Sequence, residues 1–233
     1  MNEPRLRIAT YNLQKCVGLD MRRRPDRSLQ VINALKADLV VLQEVDKRLP
    51  PRPAALPHDL VERDGWQILP FGAPGGSLGW HGNAMLARPS LTVRQTRHVE
   101  LPGLEPRGAV MADLETCLGP LRVVGVHLGL VRRYRLLQMK AVMRAVARSE
   151  AMPLVLAGDF NEWRPPAALR DAAGDVEFAP TPASYPALRP VGRLDRIAHC
   201  AQLDVAAIGV HRAKPAHIAS DHLPVWADVT RHP

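Results

Sequence analysis

Four apolar segments of this chain each turn polar in their last residues, and that recurrence limits the fold more than any other feature. In LRIATYNLQ, Leu6, Ile8, Thr10, Asn12 and Gln14 share one face of a strand under a period of two, and that face becomes polar toward its C-terminal end. Val40, Leu42 and Glu44 align in the same way, as do Val123, Gly125 and His127, and so do Val155, Ala157, Asp159 and Asn161. Each segment is otherwise apolar on both faces, which requires cover on both sides and leaves only the strand end free for chemistry. Strand ends from distant parts of the chain are therefore expected to share one rim.

Amphipathic helices are expected between these strands. Asp26 is placed to cap a helix carrying Leu29, Ile32 and Leu35, and Leu136, Met139, Met143 and Val146 form the apolar stripe of a longer one. Val131 stands where a serine or threonine would cap that second helix. Further short strands are expected near Gly82 to Arg88, Leu91 to Val99, Ala109 to Leu114, Arg193 to His199 and Val225 to Val229. Helices are too few for every connection to be a parallel crossover, so a mixed or antiparallel pair of sheets flanked by helices fits better than a doubly wound fold. Arg48 to His58, Phe71 to Gly82 and Glu177 to Pro190 read as loops. No Gly-Lys-Ser/Thr follows the glycines of the second loop, which argues against a phosphate cradle.

With 233 residues and 46% hydrophobic composition the chain can bury one sizeable core, and residues 1–233 are expected to form a single domain without internal repeats. No run of eighteen apolar residues and no export signal is evident, so a cytoplasmic protein without stable membrane insertion is expected. Cys16, Cys117 and Cys200 are too scattered to clamp zinc and read as reduced thiols. The net charge of +8 suits a polyanionic partner, nucleic acid or an anionic lipid surface, and nothing implies an obligatory protein partner. Only five of the 31 cations are lysine, and arginine is spread along the whole chain, so charge alone selects no partner.

The rim gathers Asn12, Glu44, His127, Asp159, Asn161, Asp195, Asp221 and His222. Oxygen donors, amides and imidazoles without cysteine favour Mg²⁺ or Mn²⁺ over zinc, and metal-assisted attack on a phosphate is the reaction class implied. Taken singly, these residues have plainer readings: Asp159 and Asn161 as turn formers, His127 as a satisfied core histidine, Asp195 as half of a local ion pair with Arg196. Arg132, Arg133 and Arg135 read as a solvated helix face.

Six blocks change that balance. TYNLQ at 10–14, LQEVD at 42–46, VHLGL at 126–130, GDFNEW at 158–163, RLDRI at 193–197 and SDHLPV at 220–225 resemble, in order, the blocks of the endonuclease/exonuclease/phosphatase superfamily. The resemblance spans essentially the whole chain. It implies a four-layer α/β/β/α sandwich of two mixed sheets flanked by helices, and Mg²⁺-dependent hydrolysis of phosphate esters. Carried over residue by residue, Glu44 resembles the main metal ligand, with Asn12 and Asp221 beside it. Asp159 resembles the carboxylate that orients or deprotonates the attacking water, and Asn161 its phosphate-binding neighbour. His222 resembles the imidazole on the phosphate, oriented by Asp195, and His127 the second histidine, which stabilises developing charge or aids the leaving group. Asn83 and Arg107 resemble positions that line the substrate groove.

Two departures qualify this. Gln14 stands where DNA-repair members carry a second acidic metal ligand, and the chain is short for the family, with little room for loops that wedge into duplex DNA. The expected function is a Mg²⁺-dependent phosphodiesterase or nuclease using a water activated by metal and Asp159. The alternatives are a phospholipid or inositol-phosphate phosphoesterase and a non-catalytic nucleic-acid-binding module on the same fold.

Overall fold

The computed structural model describes residues 3–47, 53–72 and 76–232. Its strands form where apolar residues run without a break. β1 (Leu6–Asn12) and β2 (Leu39–Gln43) pair in parallel across a crossover that contains the helix α1 (Pro25–Ala34). β12 (Val225–Arg231) flanks β1, and β4 (Ala84–Ala87) flanks β2, both antiparallel. The edges are β11 (Leu203–Val210) and the short β3 (Gln67–Ile68), giving the order β11-β12-β1-β2-β4-β3.

The second sheet repeats this plan. β7 (Gly119–His127) and β8 (Leu154–Asp159) pair in parallel across the long helix α3 (Arg132–Ala147). β6 (Gly108–Thr116) and β10 (Asp195–His199) flank them antiparallel, with β5 (Thr92–Glu100) and β9 (Glu177–Phe178) at the edges. Among the described residues there are also three short helices: α2 (His58–Arg63), α4 (Ala167–Ala173) and α5 (Ala216–Ala219).

Alternation along the central strands sorts their side chains into three cores. Ile8, Val41, Val123, Val155 and Ala157 meet between the sheets. Ala9, Tyr11, Val40 and Leu42 pack outward on Leu29, Ile32 and Leu35 of the first helical layer. Val124, Val126 and Leu156 do the same against Met139 and Val142 of α3 and Leu169 of α4. The result is the expected four-layer α/β/β/α sandwich. Each fully buried aliphatic side chain contributes about 1.5–3 kcal/mol. Close approach of the sheets depends on Gly125, where an added Cβ would lie 2.7 Å from Val41 Cγ1 of the facing sheet.

Several expectations shift by a residue or a face. Asp26 does not cap α1: Arg24 holds the cap position with Pro25 first in the helix, and Asp26 sits in the first turn, bonded to the Arg24 guanidinium. On α3 the fully buried face is Arg135, Gln138, Met139 and Val142, rotated from the expected stripe, whose Leu136, Met143 and Val146 are only partly buried. Val131 caps α3 without a side-chain bond, as its sequence foretold. The strand β11 went unforeseen, because its edge position leaves it half exposed and without a clean apolar run. Of the three expected loops, Arg48–Arg52 and Ala73–Gly75 lie outside the described residues. The third begins with β9 and is a loop from Ala179 onward.

One end of the sandwich collects the chemistry. The register pairs Asn12 with Gln43, and His127 with Asp159, at the C-terminal ends of the two parallel pairs. Asp195, opening β10, pairs with Asp159 from the other side, and β12 opens at Val225, three residues after His222.

Candidate active site

Asp159 is the hub. It closes β8, is 1% exposed, and its Oδ2 accepts a hydrogen bond from Asn12 Nδ2 at 3.2 Å. Asn12 belongs to β1 of the facing sheet, so this bond ties the two sheets together at the rim. The same oxygen lies 3.5 Å from His127 Nε2 and 3.8 Å from His222 Nε2. Oδ1 accepts the Asn161 amide at 2.9 Å. Burial, followed by the charge of Asp195, lifts the Asp159 carboxyl to about 6, although His222 and two hydrogen bonds oppose the rise. Asp159 can therefore exchange a proton near neutral pH.

The two histidines are set to opposite charge states. Burial disfavours the cationic form of His222, yet the Asp195 carboxylate, by charge and by a 2.8 Å bond to Nδ1, and then Asp159 and Asp221, raise it to about 10. The Ser184 hydroxyl donates to the same Asp195 oxygen, fixing the carboxylate. The Tyr185 ring covers the imidazole at 4.8 Å. His127 goes the other way: burial first, then the Arg107 guanidinium, His222 and Lys15 hold it well below the ordinary histidine range. Arg107 Nη1 lies 2.8 Å from His127 Nδ1 and 2.9 Å from Nε2, and its charge beside the buried ring favours the neutral form. An imidazolium beside a neutral imidazole, both on one carboxylate, divides donor and acceptor roles.

Glu44 reaches the rim by a route the alternation did not foresee. Val40 and Leu42, with which it was aligned, face the helices, while Leu39 and Val41 face the other sheet. Gln43 continues the inter-sheet face and exchanges hydrogen bonds with Thr10. Glu44 comes after the strand with φ 54°, a left-handed turn that re-aims its carboxylate. Lys15, itself at φ 58° in a one-turn 3₁₀ segment at Gln14–Cys16, pairs its ammonium with Glu44 Oε2. Gln14 is engaged elsewhere: its Oε1 accepts the Asp221 amide at 3.0 Å. The Asp221 carboxyl is raised by burial, with His222 opposing and the Glu44 charge reinforcing the shift.

Glu44, Asp221 and Asn12 make an oxygen-only donor set in which two carboxylates feel one another's charge. Such oxygen donors are of the kind that suits a hard divalent cation, although Glu44 Oε2 is paired with Lys15 and Asn12 Oδ1 accepts the Gln14 amide. Asp159, Asp195 and His222 also present ligand atoms within 4.8 Å of one another. That second group does not suit a cation, because Asp195 Oδ2 and His222 Nδ1 are already bonded together in a sealed environment.

The remaining expected residues are placed as follows. Asn161 is not on the Asp159 strand face: β8 ends at Asp159, Phe160 turns into the helix-side core, and Asn161 stands at φ 50° with Nδ2 donating to Leu128 O at 2.8 Å. Asn83 is fully buried and spends Nδ2 on Gly108 O at 2.9 Å, while its Oδ1 has no partner among the described residues. Arg107 joins the site through His127 and is steadied by Glu105 at 2.8 Å. Arg135 is not solvated; it is buried against Glu162 at 3.2 Å. Arg132 and Arg133 are exposed, as a solvated face would be. Sequence reasoning missed Lys15, Ser184 and Tyr185. Lys15 adjoins the discussed Gln14 and could have been weighed, whereas Ser184 and Tyr185 lie in a proline-rich loop with no periodic signal.

Comparison with known proteins agrees with this fold. Residues 9–222 match the family described as the Endonuclease/Exonuclease/phosphatase family. The Escherichia coli (strain K12) "Uncharacterized protein YbhP" is 28% identical over 245 residues, covering 96% of this chain and 95% of that protein. A functionally unknown conserved protein from Enterococcus faecalis V583 superposes with a TM-score of 0.79 at 20% identity, over 97% of this chain and 100% of its own. Danio rerio TDP2 complexed with single strand DNA product superposes at 0.74 with 15% identity, over 98% and 100%.

Proposed function

The chain belongs to the Endonuclease/Exonuclease/phosphatase family, and on that premise we propose that it is a divalent-cation-dependent phosphodiesterase, acting as one domain, that hydrolyses its substrate by in-line attack of water. The observation that carries this reading is the convergence of one buried carboxyl and two imidazoles. His127 and His222 stand 3.5 and 3.8 Å from the same Asp159 oxygen.

Asp159, held by Asn12 and the Asn161 amide, takes the proton of the attacking water as the new P–O bond forms. Its proton affinity near neutral pH keeps it ionised yet basic enough to do so. His222 presents its Nε2–H to a phosphoryl oxygen, with Asp195 and Ser184 holding the ring's other side. His127 offers a second N–H, and Arg107 a further cationic contact. These donors stabilise the charge that builds on the equatorial oxygens more strongly than the ground state. As the other P–O bond breaks, the departing alkoxide takes up a proton from solvent water, and Asp159 afterwards releases its own proton to solvent. Glu44, Asp221 and Asn12 would hold the divalent cation, which when bound supplies positive charge at the phosphate.

A nucleic-acid strand is a reference substrate, supported by the net charge of +8 and by the DNA product seen on Danio rerio TDP2. The test is hydrolysis of bis-p-nitrophenyl phosphate with Mg²⁺ or Mn²⁺, followed by a panel of DNA, abasic DNA, RNA, phospholipids and inositol phosphates. Asp159→Asn and His222→Ala should each lower turnover by roughly 10²-fold or more. Wild-type turnover in either variant removes that residue from the mechanism, and no metal-dependent turnover on any substrate ends the proposal.

A further inference from the structure

Exposed large apolar side chains concentrate at the site end of the molecule. Leu104, Leu130, Val131, Trp163, Leu188 and Val191 are all exposed, Leu104 at 82% and Leu188 at 71%, on loops that open from that end of the second sheet. These loops form one continuous rim. The Leu130 amide donates to Glu105 Oε1 at 3.2 Å, joining the loop before β6 to the loop after β7. Arg135 then bonds both the Leu130 carbonyl and Glu162, next to Trp163. Gly192 lies so close beneath Trp163 that a Cβ there would sit 3.0 Å from the indole, which places Val191 beside it. Trp163 meets Tyr185 edge-on at 5.9 Å, and Tyr185 covers His222. The apolar rim thus leads directly to the candidate active site.

Cations share these loops. Arg132, Arg133, Arg164, Arg189 and Arg193 are exposed. Stretches 128–134, 163–168 and 185–194 contain no acidic residue, and Glu105 is paired with Arg107.

We propose that this rim docks the protein onto an anionic phospholipid surface, so that the active site meets phosphodiesters at the headgroup level. Docking stands on the rim alone; what the site does once docked rests on the phosphodiesterase reading. Arginines and a tryptophan would also serve a nucleic acid, by phosphate contact and stacking, but exposed leucines and valines find no counterpart along a sugar-phosphate chain. At a lipid interface they leave water, the tryptophan settles at the headgroup boundary, and the arginines meet anionic headgroups. A second copy of the chain would bring five like charges against their own image, which disfavours self-association. No helix among the described residues is long and apolar enough to cross a membrane, so the contact is at the surface.

The test uses the full chain, metal-free, sedimented with vesicles of phosphatidylcholine alone or mixed with phosphatidylglycerol. Binding to the anionic vesicles, weakened by salt and accompanied by a blue shift of tryptophan fluorescence that disappears in Trp163→Phe, is the expected result. Leu188→Ser combined with Val191→Ser should weaken partitioning by about tenfold. Both positions are exposed, and an unchanged thermal midpoint verifies the fold. Three results overturn the proposal: no sedimentation with anionic vesicles, partitioning indifferent to the double substitution, or a concentration-dependent dimer that alone shields Trp163. Because binding is read without turnover, its failure is separate from any failure of bis-p-nitrophenyl phosphate hydrolysis.

Discussion

Replacing Arg135 by methionine strands a carboxylate that has almost no contact with water. Glu162 is 1% exposed; its Oε2 accepts from Arg135 Nε at 3.3 Å and Nη2 at 3.2 Å, and its Oε1 accepts the Arg164 amide at 3.1 Å. Breaking a buried pair from one side costs about 3–5 kcal/mol, because the surviving charge keeps its desolvation penalty and loses its partner. The opposite change, Glu162→Gln, leaves Arg135 with the Gly129 and Leu130 carbonyls as acceptors. Its cost should be smaller, about 1–3 kcal/mol. Arg135→Met with Glu162→Gln removes both charges, so the double variant should cost less than the two single changes together, by about 1–3 kcal/mol. Urea unfolding followed by far-ultraviolet circular dichroism gives all four stabilities, provided the denaturant slope is constant across the set. An Arg135→Met cost below about 1 kcal/mol, or strict additivity in the double variant, would mean that Glu162 is not stranded and would refute the reasoning.

Three further outcomes are expected. Glu44→Ala should abolish the rise in thermal midpoint produced by Mg²⁺ or Mn²⁺ without substrate; an unchanged metal-induced rise would take Glu44 out of the ligand set. In the metal-free protein His222 binds its proton more tightly folded, at about 10, than unfolded, at its ordinary 6.5. Its contribution to stability is therefore complete below 6.5 and lost as pH rises through about 10, and Asp195→Asn should flatten that alkaline decline in unfolding free energy measured from pH 7 to 10. Gly158→Ala should destabilise by about 3 kcal/mol, because a Cβ there would lie 2.0 Å from the Val126 carbonyl of the paired strand; denaturant midpoints within error of wild type would disprove that close approach.

The periodicity of two identifies the strands and their buried faces wherever backbone stays extended. Asn12, His127 and Asp159 could be read from sequence for that reason: each is the last residue of a regular strand and keeps the facing of its apolar predecessors. The rule fails at Glu44 and Asn161, where a left-handed residue just past the strand end rotates the side chain out of phase. Their motifs singled them out, but alternation gave the wrong reason for where they stand. Ser184 and Tyr185 were invisible for a different cause. Their loop reaches His222 and Asp195 through tertiary contacts, and no local pattern encodes such contacts. Arg135 looked like a surface cation because helical spacing alone does not reveal a buried carboxylate twenty-seven residues downstream.

The position of β12 orders the assembly of the molecule. This strand, drawn from the end of the described chain, pairs with β1, drawn from its beginning, in the interior of the first sheet. Asp221 and His222 sit at its threshold. During synthesis β1 must wait with one edge bare until more than two hundred residues have left the ribosome, so a truncation ahead of Val225 leaves the first sheet open-edged and prone to aggregate.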